Sequence, residues 1–567
     1  MFNMITLPFR QRILIALTVM VFVLAFLVRF INLNYNSPFN DEAIYVVVGQ
    51  TGLFLGDWVS YNAASWMAGH PYFYPSITAI AYKIGGIAQS RFVNVAFGIL
   101  TLYTIYQIII ILYERGNKKL FPGLITIALL GITPIGVYVS RLATYDAPSF
   151  FFIFLGLYFI SIANLTKFNF EQTARFYFLA ALSIFLAVGF KIISAIYVPF
   201  FVLYSYFEIK NKKILSGEIE TNDATLLNKS ADLDKPSEVE FDSNLPGQEE
   251  ESGRIYESDV QSKGVAANFT TWDIHEKESE SPFTSEKENT ADWFKYFLVP
   301  LSILFAIYLF FNFSHIYAYY VSQQTPLNIS TRLEVLTRFW KEIYLIVPFW
   351  LVGSLGLVLS KNKKKLLFLS LGVFIPVIFH LVFKNAPSLD KHTYLTSAFM
   401  SIVAGLGIGK IIDFTDNKVF KTVVTSALVL SLIVFWVSAY KTLPKYNNLW
   451  RDTTKPQSFI SKEVDSGDRV LVESGASMVL AASQRDFPTN VITFDWFEYG
   501  GLQGREAYIR AVDDGYFNFI QLETPDNPKL KRNDELSKVI GLIVQFMRKE
   551  YKLVYEEDGY LIYKRTY

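Results

Sequence analysis

The chain has 567 residues, 52% of them apolar and 17% aromatic, with a mean hydropathy of +0.28 and a formal charge of only +1. Several runs reach the roughly 20 apolar residues that cross a bilayer, which excludes an ordinary water-soluble domain and predicts a multi-pass membrane protein. Cysteine is absent, so disulfides, thiolate metal sites and cysteine nucleophiles are excluded.

The first apolar run, Ile13 to Leu33, follows Arg10 and Arg12 and is not succeeded by a small-residue cleavage site, so it reads as a retained helix with its N-terminal flank inside. Asp41 and Glu42 come about eight residues later. Two acids so near a bilayer are costly unless they stand at an aqueous edge, and ionisable groups in such a place mark a functional site. They open a long outer loop, 34–91, in which Glu42 to Leu55 and Phe73 to Gly85 each resemble a helix lying along the interface. Between them His70-Pro-Tyr-Phe-Tyr-Pro75 holds two prolines that fix a turn. Ten more spans are predicted, near 92–112, 120–138, 147–164, 174–190, 192–207, 293–311, 343–360, 366–383, 394–412 and 419–440. About eleven transmembrane helices therefore form the body.

The connecting segments set an orientation. Arg115, Lys118, Lys119, Lys210, Lys212, Lys213, Lys361, Lys363, Lys364 and Lys365 fall on alternate loops, as expected if those loops are cytoplasmic. An odd number of spans then puts the C-terminal 441–567 segment outside a plasma membrane. Residues 208–292 carry 21 acidic against nine basic side chains and few apolar clusters, the composition of a disordered cytoplasmic insertion. It divides the transmembrane part into 1–207 and 293–440. Past residue 440 the pattern shortens to strands at Arg469 to Glu473 and Asn490 to Phe494, a helix at Glu535 to Lys549, and a hairpin of Tyr551 to Glu556 with Gly559 to Tyr563. A small α/β domain is predicted, without a phosphate-cradling glycine loop or a histidine cluster.

Ionisable residues collect on one side. Asp41, Glu42, His70, Arg91, Arg141, Asp146, Lys191, Lys384, Asp390, Lys391 and His392 all fall at outer helix ends or outer loops. A transporter is expected to place polar groups near the midplane between matched halves, and the sequence shows no such repeat. One-sided collection suggests a reaction at the outer surface between a lipid-held and a water-borne substrate.

The Asp41-Glu42 pair, the His70-Pro71 turn, Arg91-Phe-Val-Asn-Val-Ala-Phe-Gly98 and Thr133-Pro-Ile-Gly-Val-Tyr-Val-Ser-Arg-Leu-Ala-Thr-Tyr-Asp-Ala-Pro148 together resemble the protein O-mannosyltransferases and the lipid A aminoarabinose transferases. These are GT-C glycosyltransferases. The resemblance spans 1–207 and, more loosely, 293–440 through Asp390-Lys-His-Thr-Tyr-Leu395. Tyr72 stands where the family has a second proline, and the insertion 208–292 is not part of the common core.

The resemblance implies transfer of a sugar, with inversion, from a polyprenyl-phosphate donor to a protein, lipid or polysaccharide acceptor. Such transfer needs a base for the acceptor and cations for the leaving phosphate. It implies that Asp41 is the base or acceptor-orienting carboxylate, with Glu42 beside it as a catalytic candidate, although adjacent side chains point apart. Asp146 is either a helix cap or a second carboxylate facing Asp41. Lys191 is either a snorkelling turn residue or a phosphate clamp, and Arg141, His70, Lys391 and His392 are further substrate-binding candidates. Asp41, Asp146 and His70 are of the types that ligate a divalent metal cation, yet no spacing motif demands one. Membrane lipids are expected partners and nucleic acid is not. A polyprenyl-lipid flippase and a non-catalytic cell-envelope scaffold are the competing readings.

Overall fold

The computed structural model describes residues 8–566 apart from 59–66, 68–71, 114–118, 166–169, 210–285, 324–329, 361–362, 385–387, 415, 466, 474, 484–490, 494–496, 525–533 and 548–549. Nearly all of the acidic insertion thus lies outside the described residues. Among the described residues, nine helices are long and apolar enough to cross a membrane, and two bent pairs bring the total to eleven. The protein is an integral membrane protein of the expected span number.

In chain order the helices are α1 (Phe9–Phe30), α2 (Asn40–Leu55), α3 (Phe73–Leu112), α4 (Leu120–Gly131), α5 (Pro134–Arg141), α6 (Asp146–Ala163) and α7 (Phe170–Phe190). Then come α8 (Ile192–Ile209), which opens with a 3-10 turn, and α9 (Val299–Gln323). The remaining membrane-domain helices are α10 (Arg332–Ile343), α11 (Val347–Leu359), α12 (Lys363–Phe383), α13 (Leu389–Phe414) and α14 (Lys418–Asn447). The loop between the first two spans holds α2 and the first arm of α3, which stand where two helices are expected from sequence. At Gly86 (φ 65°, ψ −157°) the backbone enters a region open only to glycine, and the arm turns there into the spanning part of α3.

Proline shapes two other helical segments. The span expected at 120–138 is α4 and α5 meeting at 67°, with Pro134 at the first turn of α5, where its missing N–H costs nothing. Pro376 lies inside α12 and cannot bond the carbonyl four residues earlier. The Tyr197 hydroxyl donates to that Gly372 carbonyl at 3.1 Å, so no acceptor is stranded in apolar surroundings. α13 runs through the centre, with 83% of its most apolar window buried.

The C-terminal domain comprises α15 (Thr454–Glu463), β1 (Val470–Val472), α16 (Ala476–Ser483), β2 (Val491–Thr493), β3 (Glu498–Tyr499), β4 (Leu502–Gln503), α17 (Gly504–Asp513), β5 (Phe519–Glu523), α18 (Asp534–Met547), β6 (Tyr551–Glu557) and β7 (Tyr560–Arg565). Its sheet has the order β2-β1-β5-β7-β6. β1 pairs in parallel with β2 and β5, while β7 runs antiparallel to β5 and β6. Strand alternation splits the core in two. Leu471, Ile520 and Leu522 join α17 and α18, whereas Val470, Val472, Phe519 and Ile562 share a core with α15, α16 and Ala43, Val46 and Val47 of α2. The soluble domain is therefore seated on α2.

Candidate functional site

Apart from Glu342, whose side chain is 6% exposed and meets Lys445 and Tyr446, the buried charged or imidazole residues among the described residues are Arg29, Glu42, Arg91, Arg141, Asp146, Lys191, His380, Lys391 and His392. All lie at or near helix ends on one side of the bundle: the C-terminal ends of α1, α5, α7 and α12, and the starts of α2, α3's span, α6 and α13. Burial of a charge is tolerated only with a partner, and the partners define two knots.

The first knot is built on Glu42. Its side chain reaches back to the Phe39 N–H at 2.7 Å, closing the first turn of α2, and its other oxygen accepts from the Ala143 N–H at 2.7 Å. The Arg91 guanidinium donates to both carboxylate oxygens at 2.8 and 2.7 Å and to the carbonyls of Leu33, Asn36 and Ser37. Both side chains have no exposed surface. Glu42, expected as a catalytic candidate, has its oxygens fully taken and cannot meet a substrate without first losing this pair.

The second knot joins the remaining acids. One residue earlier on α2, Asp41 points elsewhere: its carboxylate meets the Lys391 ammonium at 2.9 Å and keeps 36% of its side-chain surface exposed. Lys391 also lies 3.5 Å from Asp146, which pairs with Lys191 and accepts from the Thr144 hydroxyl at 2.8 Å. Asp41, Lys391, Asp146 and Lys191 are thus one ionic chain running from the open edge inward. Asp146 stands in the first turn of α6, but its carboxylate serves the two lysines and the Thr144 hydroxyl. Lys191 turns inward, 7% exposed, rather than snorkelling. Tyr145 lies beneath its ammonium at 5.3 Å and packs on Tyr45, which meets Tyr74; the Tyr74 hydroxyl donates to Asn94, and Asn94 donates to the Leu142 and Thr144 carbonyls.

One expected ligand is placed differently. Arg141 donates to the Ile31 and Asn32 carbonyls at 3.1 and 2.7 Å and stacks on Tyr35, so it staples the exit of α1 instead of joining the lysines. His70 lies outside the described residues. His392 is buried beside the lysines; its Nδ1 bonds His380 Nε2 at 2.8 Å, and its own Nε2 is buried with no protein partner. Sequence reasoning missed His380 and Arg29. Arg29, in an otherwise apolar helix, donates to the Ala25 and Gly131 carbonyls and to Ser140. A lone polar residue inside an apolar run was the signal in both cases.

Among the described residues no three acid or imidazole side chains converge to hold a metal ion. Asp41 and Asp146 do not fit a divalent cation, because the Lys391 ammonium already stands between them and Lys191 also occupies Asp146. A second positive ion there would meet like charge.

Solved structures share this architecture. ArnT from Cupriavidus metallidurans in the apo state matches with a TM-score of 0.58 at 10% identity, over 96% of this chain and 97% of that one. The same protein bound to undecaprenyl phosphate gives 0.56 at 11% identity, with the same shares. The archaeal oligosaccharyltransferase AglB from Archaeoglobus fulgidus, in complex with an inhibitory peptide and a dolichol-phosphate, gives 0.51 at 11%, over 98% of this chain and 75% of that one. No family model matches the chain, and comparison with curated proteins gives no match. The class is that of polytopic membrane proteins with a soluble C-terminal domain. Within it, this chain shares its fold with ArnT and AglB.

Proposed function

We propose that the protein transfers a sugar from a polyprenyl-phosphate donor to an acceptor hydroxyl or amine at the outer membrane surface. The observation that carries this reading is the ionic chain Asp41–Lys391–Asp146–Lys191, set at the open ends of the helices in a GT-C fold. Solved neighbours of that fold hold undecaprenyl phosphate or dolichol-phosphate, which supports a lipid phosphate as the donor's leaving group.

The chemistry follows from charge and access. Asp41, the half-exposed member, takes the acceptor's proton as the acceptor atom attacks the anomeric carbon. The bond from that carbon to the phosphate oxygen breaks, and the electron pair leaves on the lipid phosphate. Lys191 and Lys391, with the unpartnered Nε2 of His392 beside them, face the negative charge that develops there. Asp146 holds both ammonium groups in place. A single displacement inverts the sugar's configuration. The flippase reading draws no support from buried charges that all sit at one end of the bundle.

The test is transfer by purified protein in liposomes containing a polyprenyl-phosphate sugar. Asp41→Asn should lower turnover by about 10²–10⁴-fold, the usual loss with a general base, without lowering thermal stability. Wild-type turnover by that variant would overturn the assignment.

A further inference from the structure

The neck after α14 and the C-terminal domain that follows it grip the segment that carries Asp41, and they do so at several independent points. The Asn36 side-chain amide donates to the Asn447 and Trp450 carbonyls at 3.1 Å each. The Ser37 N–H donates to Asp452 at 3.3 Å, and the Ser37 hydroxyl accepts from the Thr453 N–H and hydroxyl at 2.8 and 2.9 Å. The Trp450 indole donates to the Ser37 carbonyl at 3.0 Å, and its ring packs on Phe39 and Tyr35. At the first residue of α2, the Asn40 side-chain oxygen accepts from the Ala476 N–H at 3.1 Å. Residue 475 has φ +64°, and a Cβ there would stand 2.9 Å from that same oxygen, so glycine is what allows the close approach.

These ties continue into the core of the site. The Ser37 carbonyl that accepts from Trp450 also accepts from Arg91, and the Asn36 carbonyl accepts from Arg91 too. Residues 36–40 are therefore held from the membrane side by the Glu42–Arg91 knot and from the other side by the neck and the domain. The backbone between α1 and α2 is irregular, with Asn32 in the left-handed region at φ 56°. Asp41's side chain has one strong partner, Lys391. Its position rests on where that segment is held.

We propose that the neck and the C-terminal domain together are a built-in positioning element of the reaction centre, acting through Trp450, Asp452 and Thr453 of the neck and Ala476 of the domain on residues 36–40 to fix the Asp41 carboxylate. The inference rests on the reading of Asp41 as the proton acceptor. Displacing a reacting group by about 1 Å typically costs on the order of 10²-fold in rate, so loosening the grip lowers turnover more than it lowers binding of the donor.

The experiment uses the full-length protein in liposomes and measures kcat and donor KM. Asp452→Ala should lower kcat by roughly 10- to 100-fold with donor KM within about threefold. Asp452→Asn, which keeps a side-chain oxygen for Ser37 and Thr454, should recover most of the loss. Asn40→Ala, which removes only the tie to Ala476, should show a smaller fall of the same kind, and it decides the matter where Asp452→Ala does not fold. Wild-type kcat in both alanine variants, or equal loss in Asp452→Asn and Asp452→Ala, would overturn the proposal. Those results alongside an inactive Asp41→Asn would sink the positioning role alone; an active Asp41→Asn would sink the reading beneath it.

Discussion

At the residue scale, Asp41 and Glu42 show how neighbours on one helix acquire opposite fates. A step of one residue turns the side chain by about 100°, enough to send Glu42 inward to Arg91 and Asp41 outward to Lys391. Glu42 and Arg91 are wholly buried, so removing one leaves the other charged and unpaired. Arg91→Met should cost about 3–5 kcal/mol of stability, read as a lowered unfolding temperature of the purified protein. An unchanged unfolding temperature would show that the pair is dispensable. Asp41, Asp146, Lys191 and Lys391 were legible in sequence because charge at a helix end is conspicuous against apolar flanks. Their sharing of one ionic chain was not, since it depends on α13 lying across the starts of α2 and α6. Arg141 misled for the same reason: its sequence neighbours are site residues, but its guanidinium is spent on the backbone of the α1 exit.

At the scale of elements, the spans were legible because a bilayer demands a fixed length of apolar chain, and 3.6-residue periodicity was not needed to find them. The bends were less so. Thr133-Pro134 lies within one apolar run, yet proline splits it into α4 and α5, and that break brings Arg141 to Asp146 around the edge of the site. In the soluble domain the expected strands, the final helix and the hairpin all formed, but the central strand β5 escaped notice. Its buried Gln521 interrupts the apolar pattern, and the side chain is there to accept from the Glu473 N–H at 3.1 Å. The neck before α15 has a titratable member. Burial alone would raise the Asp452 carboxyl, but hydrogen bonds from Thr454 and Ser37 outweigh it and hold it below the ordinary carboxylate value. A depressed folded value means the stabilisation is present above the unfolded pKa of about 3.9 and is lost as pH falls through the folded one. Amide exchange at Ser37 and Thr454, corrected for intrinsic rate, should therefore quicken below about pH 4 in the wild type. Asp452→Asn should show no such step. A step of equal size in that variant would assign the loosening to another group.

At the scale of the molecule, the two ends of the bundle differ in kind. Among the described residues, the site end holds Glu42, Arg91, Asp146, Lys191, Lys391 and His392, all buried, and the soluble domain meets it through α2. The opposite end carries Arg10 and Arg12 at the start of α1, Lys119 before α4, Lys363, Lys364 and Lys365 at the start of α12, and Lys418 and Lys421 at the start of α14. There the Tyr113 hydroxyl meets Asp413 at 2.7 Å, and the Trp293 indole donates to Ser205 at 2.8 Å, joining the chain just before and just after the acidic insertion. The insertion therefore leaves and returns at the end away from Asp41. Because lysine and arginine flanking membrane helices tend to mark the cytoplasmic side, we propose that the insertion is inside and that the C-terminal domain and the site are outside. The chain lacks cysteine, so single introduced thiols report cleanly. Glu556 lies exposed on β6, whereas Ser477 on α16 is buried and would label poorly on either face. In intact cells an impermeant thiol reagent should modify Glu556→Cys and spare Ser230→Cys, with both labelled after lysis. Protection of Glu556→Cys together with labelling of Ser230→Cys would invert the orientation and place Asp41 on the cytoplasmic face, where the proposed outer-surface transfer fails.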